Sequence, residues 1–85
     1  MSARQILVVE DEKPIRDMIA FALKRAGYVV HEAPDCRSAR NLLVDQRPDL
    51  LLADWMLPDM SGLELTRQLK RDPATRELPV ILLTA

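Results

Sequence analysis

Gln5-Ile6-Leu7-Val8-Val9, followed without a break by Glu10-Asp11-Glu12, is the stretch that decides how this chain folds. Three of those five residues are β-branched and nothing polar alternates after Gln5. A strand buried on both faces reads this way, because a strand with one wet face would alternate. The same pattern returns twice. Leu50-Leu51-Leu52-Ala53 follows the break at Pro48-Asp49 and ends on Asp54, and Val80-Ile81-Leu82-Leu83 follows Leu78-Pro79 and ends on Thr84-Ala85. Tyr28-Val29-Val30-His31-Glu32 is a more polar strand, suited to a sheet edge.

Helices are predicted between the strands. From Pro14 to Ala26, Ile15, Met18, Ile19, Ala22 and Ala26 recur at spacings of three and four, with Arg16, Asp17, Lys24 and Arg25 mostly on the other side. Pro14 suits a first helical turn, and Gly27 suits the left-handed residue just past the end. Asp35 is an N-cap for a second helix carrying Ala39, Leu42 and Leu43 to about Gln46. Ser61 and Glu64 have capping-box spacing for a third helix through Arg71, stopped by Asp72-Pro73. Single helices between strands imply a parallel sheet with right-handed crossovers, an open α/β fold. The strand order stays open at this point.

Composition narrows the function classes. The 85 residues make one domain or part of one, and 12 basic against 13 acidic side chains leave a net charge of -1, with no bias toward nucleic acid. No apolar run approaches the ~18 to 20 residues of a membrane helix, and Met1-Ser2-Ala3-Arg4-Gln5 opens no cleavable signal, so a cytoplasmic chain is expected. Cys36 stands alone, which excludes an internal disulfide and a Cys-based zinc site. Gly27 and Gly62 are the only glycines, so neither Gly-rich nucleotide fingerprint can be built.

The chemistry gathers at strand ends. Glu10 and Asp11 follow the first strand and Asp54 ends the third. If those strands are neighbours, three carboxylates converge, and such a cluster needs a cation or raised pKa values. An all-oxygen set favours a hard ion such as magnesium. The competing reading is three solvated acids at the positive ends of the following helices. Trp55 reads as a partly buried wall beside Asp54, and Met56 and Met60 as loop fillers. His31 reads as a plain edge-strand side chain. Cys36 reads as a buried thiol, or one with a pKa lowered by the helix start. Lys24-Arg25 and Lys70-Arg71 read as solvated cations at helix ends.

Taken together, Val8-Val9-Glu10-Asp11-Glu12, Asp54-Trp55-Met56-Leu57-Pro58 with Ser61-Gly62, and Leu82-Leu83-Thr84-Ala85 resemble the receiver domain of two-component response regulators. The Asp-Trp-Met-Leu-Pro stretch is most similar to the OmpR/PhoB subfamily, and the likeness spans the whole chain. It implies a flavodoxin-like (CheY-like) doubly wound sheet with strand order 2-1-3-4. It also implies a phosphoryl group accepted on Asp54 with Mg2+. Asp11 would then be a direct metal ligand, Glu10 a supporting acid acting through water, and Met56 a ligand through its backbone carbonyl. Thr84 would contact the phosphoryl group.

The implied partner is a sensor histidine kinase. The implied parent protein is a DNA-binding transcriptional regulator of phosphate supply, with no nucleic-acid or membrane contact by these residues themselves. A whole receiver resembling this one runs to ~120 residues, with a fifth strand and two more helices. The family's Lys after that strand, its aromatic switch residue and its dimerisation face therefore fall outside 1–85. Residues 1–85 are expected to form a truncated receiver whose fourth strand is left as an edge; either that edge pairs or swaps with a second copy, or the 85 residues are part of a longer protein. The alternative function is a catalytically silent fragment that self-associates through that edge.

Overall fold

The computed structural model describes residues 3–83. Strand β1 (Gln5–Val9) leads to α1 (Lys13–Arg25), β2 (Val29–Ala33), α2 (Cys36–Asp45), β3 (Leu50–Asp54), α3 (Gly62–Arg71) and β4 (Val80–Leu83). All pairings are parallel, in the order β2-β1-β3-β4. The polar strand is thus at an edge, and the first strand sits inside. From β1 the chain crosses to one side through α1 and returns past it through α2, so the order reverses between β1 and β3. That reversal opens a crevice at the carboxyl ends of those two strands.

Register divides the side chains between two faces. Leu7 pairs with Leu51 and Val9 with Ala53, and Val80 and Leu82 continue these rows on β4. This face is covered by α2 and α3: Ala39, Leu65 and Leu69 pack with Leu7, Val9, Leu51 and Ala53 in one buried cluster. The other face carries Ile6, Val8, Leu50, Leu52 and Ile81. Here α1 packs against β1 and β2.

The inward stripe of α1 differs from the predicted one. Ala20 is buried and Arg16, Ile19 and Leu23 are half-buried, whereas Met18 is 65% exposed and Ile15, Ala22 and Ala26 are also exposed. Both stripes have helical spacing and share Ile19, so periodicity fitted either. The observed one includes Arg16, whose guanidinium meets two partners described below.

Local signals fix the helix ends. Gly27 takes φ +100, its N–H bonds Lys24 O at 3.0 Å, and Tyr28 N–H bonds Leu23 O at 3.1 Å, which is a Schellman C-terminus. Asp35 caps α2 by accepting the Ser38 N–H at 2.7 Å, and Ser61 caps α3 by accepting the Glu64 N–H at 3.1 Å. Only this half of the expected capping box forms, because the Glu64 carboxylate turns to Arg67 at 3.8 Å.

Candidate functional site

Because Val9 is level with Ala53, the residues just beyond them emerge side by side. Glu10, Asp11 and Asp54 each bring a carboxylate oxygen to within 4.8 Å of the other two. Glu10 is 5% exposed, Asp54 is half-buried and Asp11 is open to solvent. Two like charges ~4 Å apart repel by about 4 kcal/mol at an effective dielectric constant of ~20, so three cannot stay ionised together without cost. At Glu10 burial acts first and the neighbouring charges after it. Burial pushes its carboxyl above the usual range, and hydrogen bonding to Asp11 and the charges of Asp54 and Asp11 push the same way, against the Glu12 N–H that pulls it down. That N–H donates to Glu10 Oε2 at 3.2 Å. The donor set is all oxygen, crowded and negative, which fits a small hard divalent cation.

The loop carrying the acids of β1 is held from α1. Arg16 Nη1 donates to the Glu10 carbonyl at 2.8 Å, while its Nε lies 3.6 Å from Glu32 on β2. Its side chain is only 15% exposed. Sequence reasoning placed Arg16 on the wet side, since a basic residue six positions past an acid carries no signal of its own.

The loop after β3 is tied at its base, in its middle and at its tip. At the base, Trp55 N–H donates to Leu83 O at 2.9 Å and Gly62 N–H to Trp55 O at 2.8 Å, with Met56 bridged to Ser61. In the middle, Leu57 is buried in the main cluster. At the tip, Asp59 accepts the Cys36 N–H at 3.0 Å and the Arg37 N–H at 2.9 Å. Burial pushes the Asp59 carboxyl up, but these N–H groups outweigh it and hold it below the usual range. Gly62 is obligatory here: a Cβ would overlap the Asp54 carbonyl oxygen and meet Leu82 Cδ2 at 3.0 Å. Neither Asp59 nor Gly62 was assigned a role from sequence. The signal for Gly62 was its place one residue past an N-cap, where a residue with a side chain is ordinary.

Other expectations sort plainly. Trp55 is 39% exposed beside Asp54, as a partly buried wall would be, and the Met56 side chain is 69% exposed. Met60 is half-buried against the core. His31 shares a hydrogen bond with Gln5 Oε1 at 2.9 Å. Cys36 is fully buried and its thiol is pushed up to about 12, by burial first and then by Asp59, so the helix start does not activate it. Lys70 is not a free surface cation: its Nζ donates to the Arg76 and Leu78 carbonyls. Thr84 lies outside the described residues. Two clefts of about 290 and 220 Å3, lined by Leu43, Arg47 and Thr75 among others, lie at the opposite end of the sheet from the acids.

The sequence profile of the response regulator receiver domain matches residues 6–85. The chain belongs to that family. It is 54% identical over 85 residues to the phosphate regulon transcriptional regulatory protein PhoB of Pseudomonas aeruginosa, all of this chain and 37% of that protein. It therefore spans little more than a third of the length of the curated relatives it matches. Among solved structures, the N-terminal domain of a receiver protein from Methanoculleus marisnigri superposes with a TM-score of 0.94 at 40% identity, over 99% of this chain and 68% of that one. The response regulator TrrA of Thermotoga maritima, in complex with Mg2+-BeF, superposes at 0.88 with 32% identity, over 96% and 70%. The chain has the strand order that the resemblance implied, and this receiver is of the PhoB kind. Among its described residues no helix is long and apolar enough to cross a membrane.

Proposed function

We propose that this receiver accepts a phosphoryl group on Asp54 from the phosphohistidine of a sensor kinase, as the signalling input of a cytoplasmic, phosphate-responsive regulator of transcription. The observation that carries the proposal is the convergence of Glu10, Asp11 and Asp54 at the switch point between β1 and β3. An ionised Asp54 oxygen attacks phosphorus; the phosphorus–nitrogen bond breaks, its electron pair returns to the imidazole, which takes a proton, and an aspartyl mixed anhydride remains. The residues that would hold Mg2+ are Asp11 and Asp54 directly, Glu10 through water and Met56 through its carbonyl. The bound ion would offset the charge of nucleophile and phosphoryl oxygens. Arg16 fixes the Glu10 end of the site, and Gly62 lets α3 begin against the Asp54 backbone. Thr84, next after β4, is the proposed hydroxyl contact to the phosphoryl group. This is a signalling step, consumed once per message, rather than turnover of a substrate.

A silent fragment gives no reason for three acids to be gathered in a switch-point crevice, so the signalling reading is preferred. Self-association is a separate matter. Among the described strands β4 pairs with β3 alone, which supports pairing of a second copy along its other edge, and a monomer by light scattering at high concentration would sink it.

The test is a magnesium titration read by Trp55 fluorescence, followed by incubation with acetyl phosphate and intact-mass measurement. The expected result is a saturable fluorescence change, lost in Asp11→Asn, and a gain of one phosphoryl group, lost in Asp54→Asn. Phosphoryl uptake undiminished by Asp54→Asn would overturn the assignment.

A further inference from the structure

The first turn of α2 needs partners for its free N–H groups, and it obtains them from two carboxylates of different origin. Asp35, the adjoining residue, takes only the Ser38 N–H. Asp59, more than twenty residues on and at the tip of the β3–α3 loop, takes those of Cys36 and Arg37. A carboxylate at a helix N-terminus receiving two backbone N–H groups makes charge-assisted bonds aligned with the helix dipole. Beside it, the Cys36 thiol donates to the Met60 carbonyl at 3.8 Å.

That same loop carries Trp55 and Met56 on its ascending side. Its base is closed by Gly62 N–H on Trp55 O and the Met56–Ser61 bridge, and Leu57 anchors one flank in the core. Without Asp59 the segment from Pro58 to Met60 would keep one weak sulfur contact to α2. Pro58 and Asp59 are exposed, so beside that contact the tip keeps only the packing of the half-buried Met60 against the core.

We infer that Asp59 is a positioning residue for the acceptor site: by pinning the loop tip to α2, it sets the backbone of Met56 relative to Asp54. The inference rests on the proposed acceptor reading, in which the Met56 carbonyl is a metal ligand. Asp59 touches no reacting atom and acts through the loop alone.

The experiment uses three variants of the chain. Asp59→Ala removes both bonds, Asp59→Asn keeps one acceptor oxygen, and Asp35→Ala uncaps the same helix without touching the loop. Both substitutions uncap the same helix, so the urea unfolding midpoint of each, measured alongside, separates a lost cap from a released loop. Expected is a roughly tenfold loss of Mg2+ affinity in Asp59→Ala, the low end of what losing an outer-shell partner does, with Asp59→Asn between it and the parent and Asp35→Ala unchanged. Acrylamide quenching of Trp55 without metal should rise in Asp59→Ala alone. Equal losses in the Asp59→Ala and Asp35→Ala variants would reduce Asp59 to a helix cap, and an unchanged Asp59→Ala would also overturn the inference. If Asp59→Ala fails to fold, Asp59→Asn against Asp35→Ala decides in the same way. A parent chain that ignores Mg2+ would fail the acceptor reading, and the quenching comparison alone would then decide whether Asp59 pins the loop.

Discussion

The two faces of this sheet are built from equally apolar rows yet end in different conditions. On one, Leu7, Val9, Leu51 and Ala53 lie under α2 and α3 and are at most 1% exposed. On the other, α1 covers β1 and β2, leaving Ile6 and Val8 buried while Ile81 is 49% exposed and Phe21 on α1 is 66% exposed. The difference teaches that an apolar run declares a strand's place in a sheet but not what covers it. Stability should therefore be lopsided.

The largest expected effect comes from cutting the covered face. Leu51→Ala opens a cavity under two helices and should cost about 3 kcal/mol in urea unfolding, while Ile81→Ala on the open face should cost less than about 1 kcal/mol. Equal costs would break the comparison. Next is Gly62→Ala, at the margin of the covered face, where the new Cβ runs into the Asp54 backbone, which cannot swing aside as the Leu82 side chain can. It should cost about 2 kcal/mol and blunt the Trp55 response to magnesium.

A smaller effect sharpens the contrast at the crevice, where charge opposes packing. Glu10 holds its proton to higher pH when folded than its ordinary 4.5. Its contribution to stability is therefore complete below that value and is lost as pH rises through the raised one. In chelator, Glu10→Gln should match the parent at low pH and exceed it in melting temperature near neutrality; a parent that gains on Glu10→Gln as pH rises would refute the sign. The smallest effect belongs to Phe21→Ser, within about 0.5 kcal/mol, with higher solubility as its clearer reading.

All four strands were legible because β-branched and leucine runs between breakers have few other uses. Asp35 and Ser61 were legible as caps because short polar side chains before an apolar repeat serve that end. The phase of α1 was not, since two stripes shared its spacing and the contacts of the inward one, Arg16 to the Glu10 carbonyl among them, are tertiary. For the same reason the meeting of Glu10, Asp11 and Asp54 hung on strand order, which local pattern does not carry; family resemblance supplied it. Asp59 gave no warning, because its partners lie across the chain on a helix that already had an N-cap.

Cys36 has a use of a different kind. Its sulfur is sealed beneath the first turn of α2 and its proton is tightly kept, so a thiol reagent at neutral pH finds neither access nor thiolate while the chain is closed. Alkylation then becomes a clock: each modified molecule records one opening of the α2 end of the core, counted by mass against time, with no probe introduced and no residue changed.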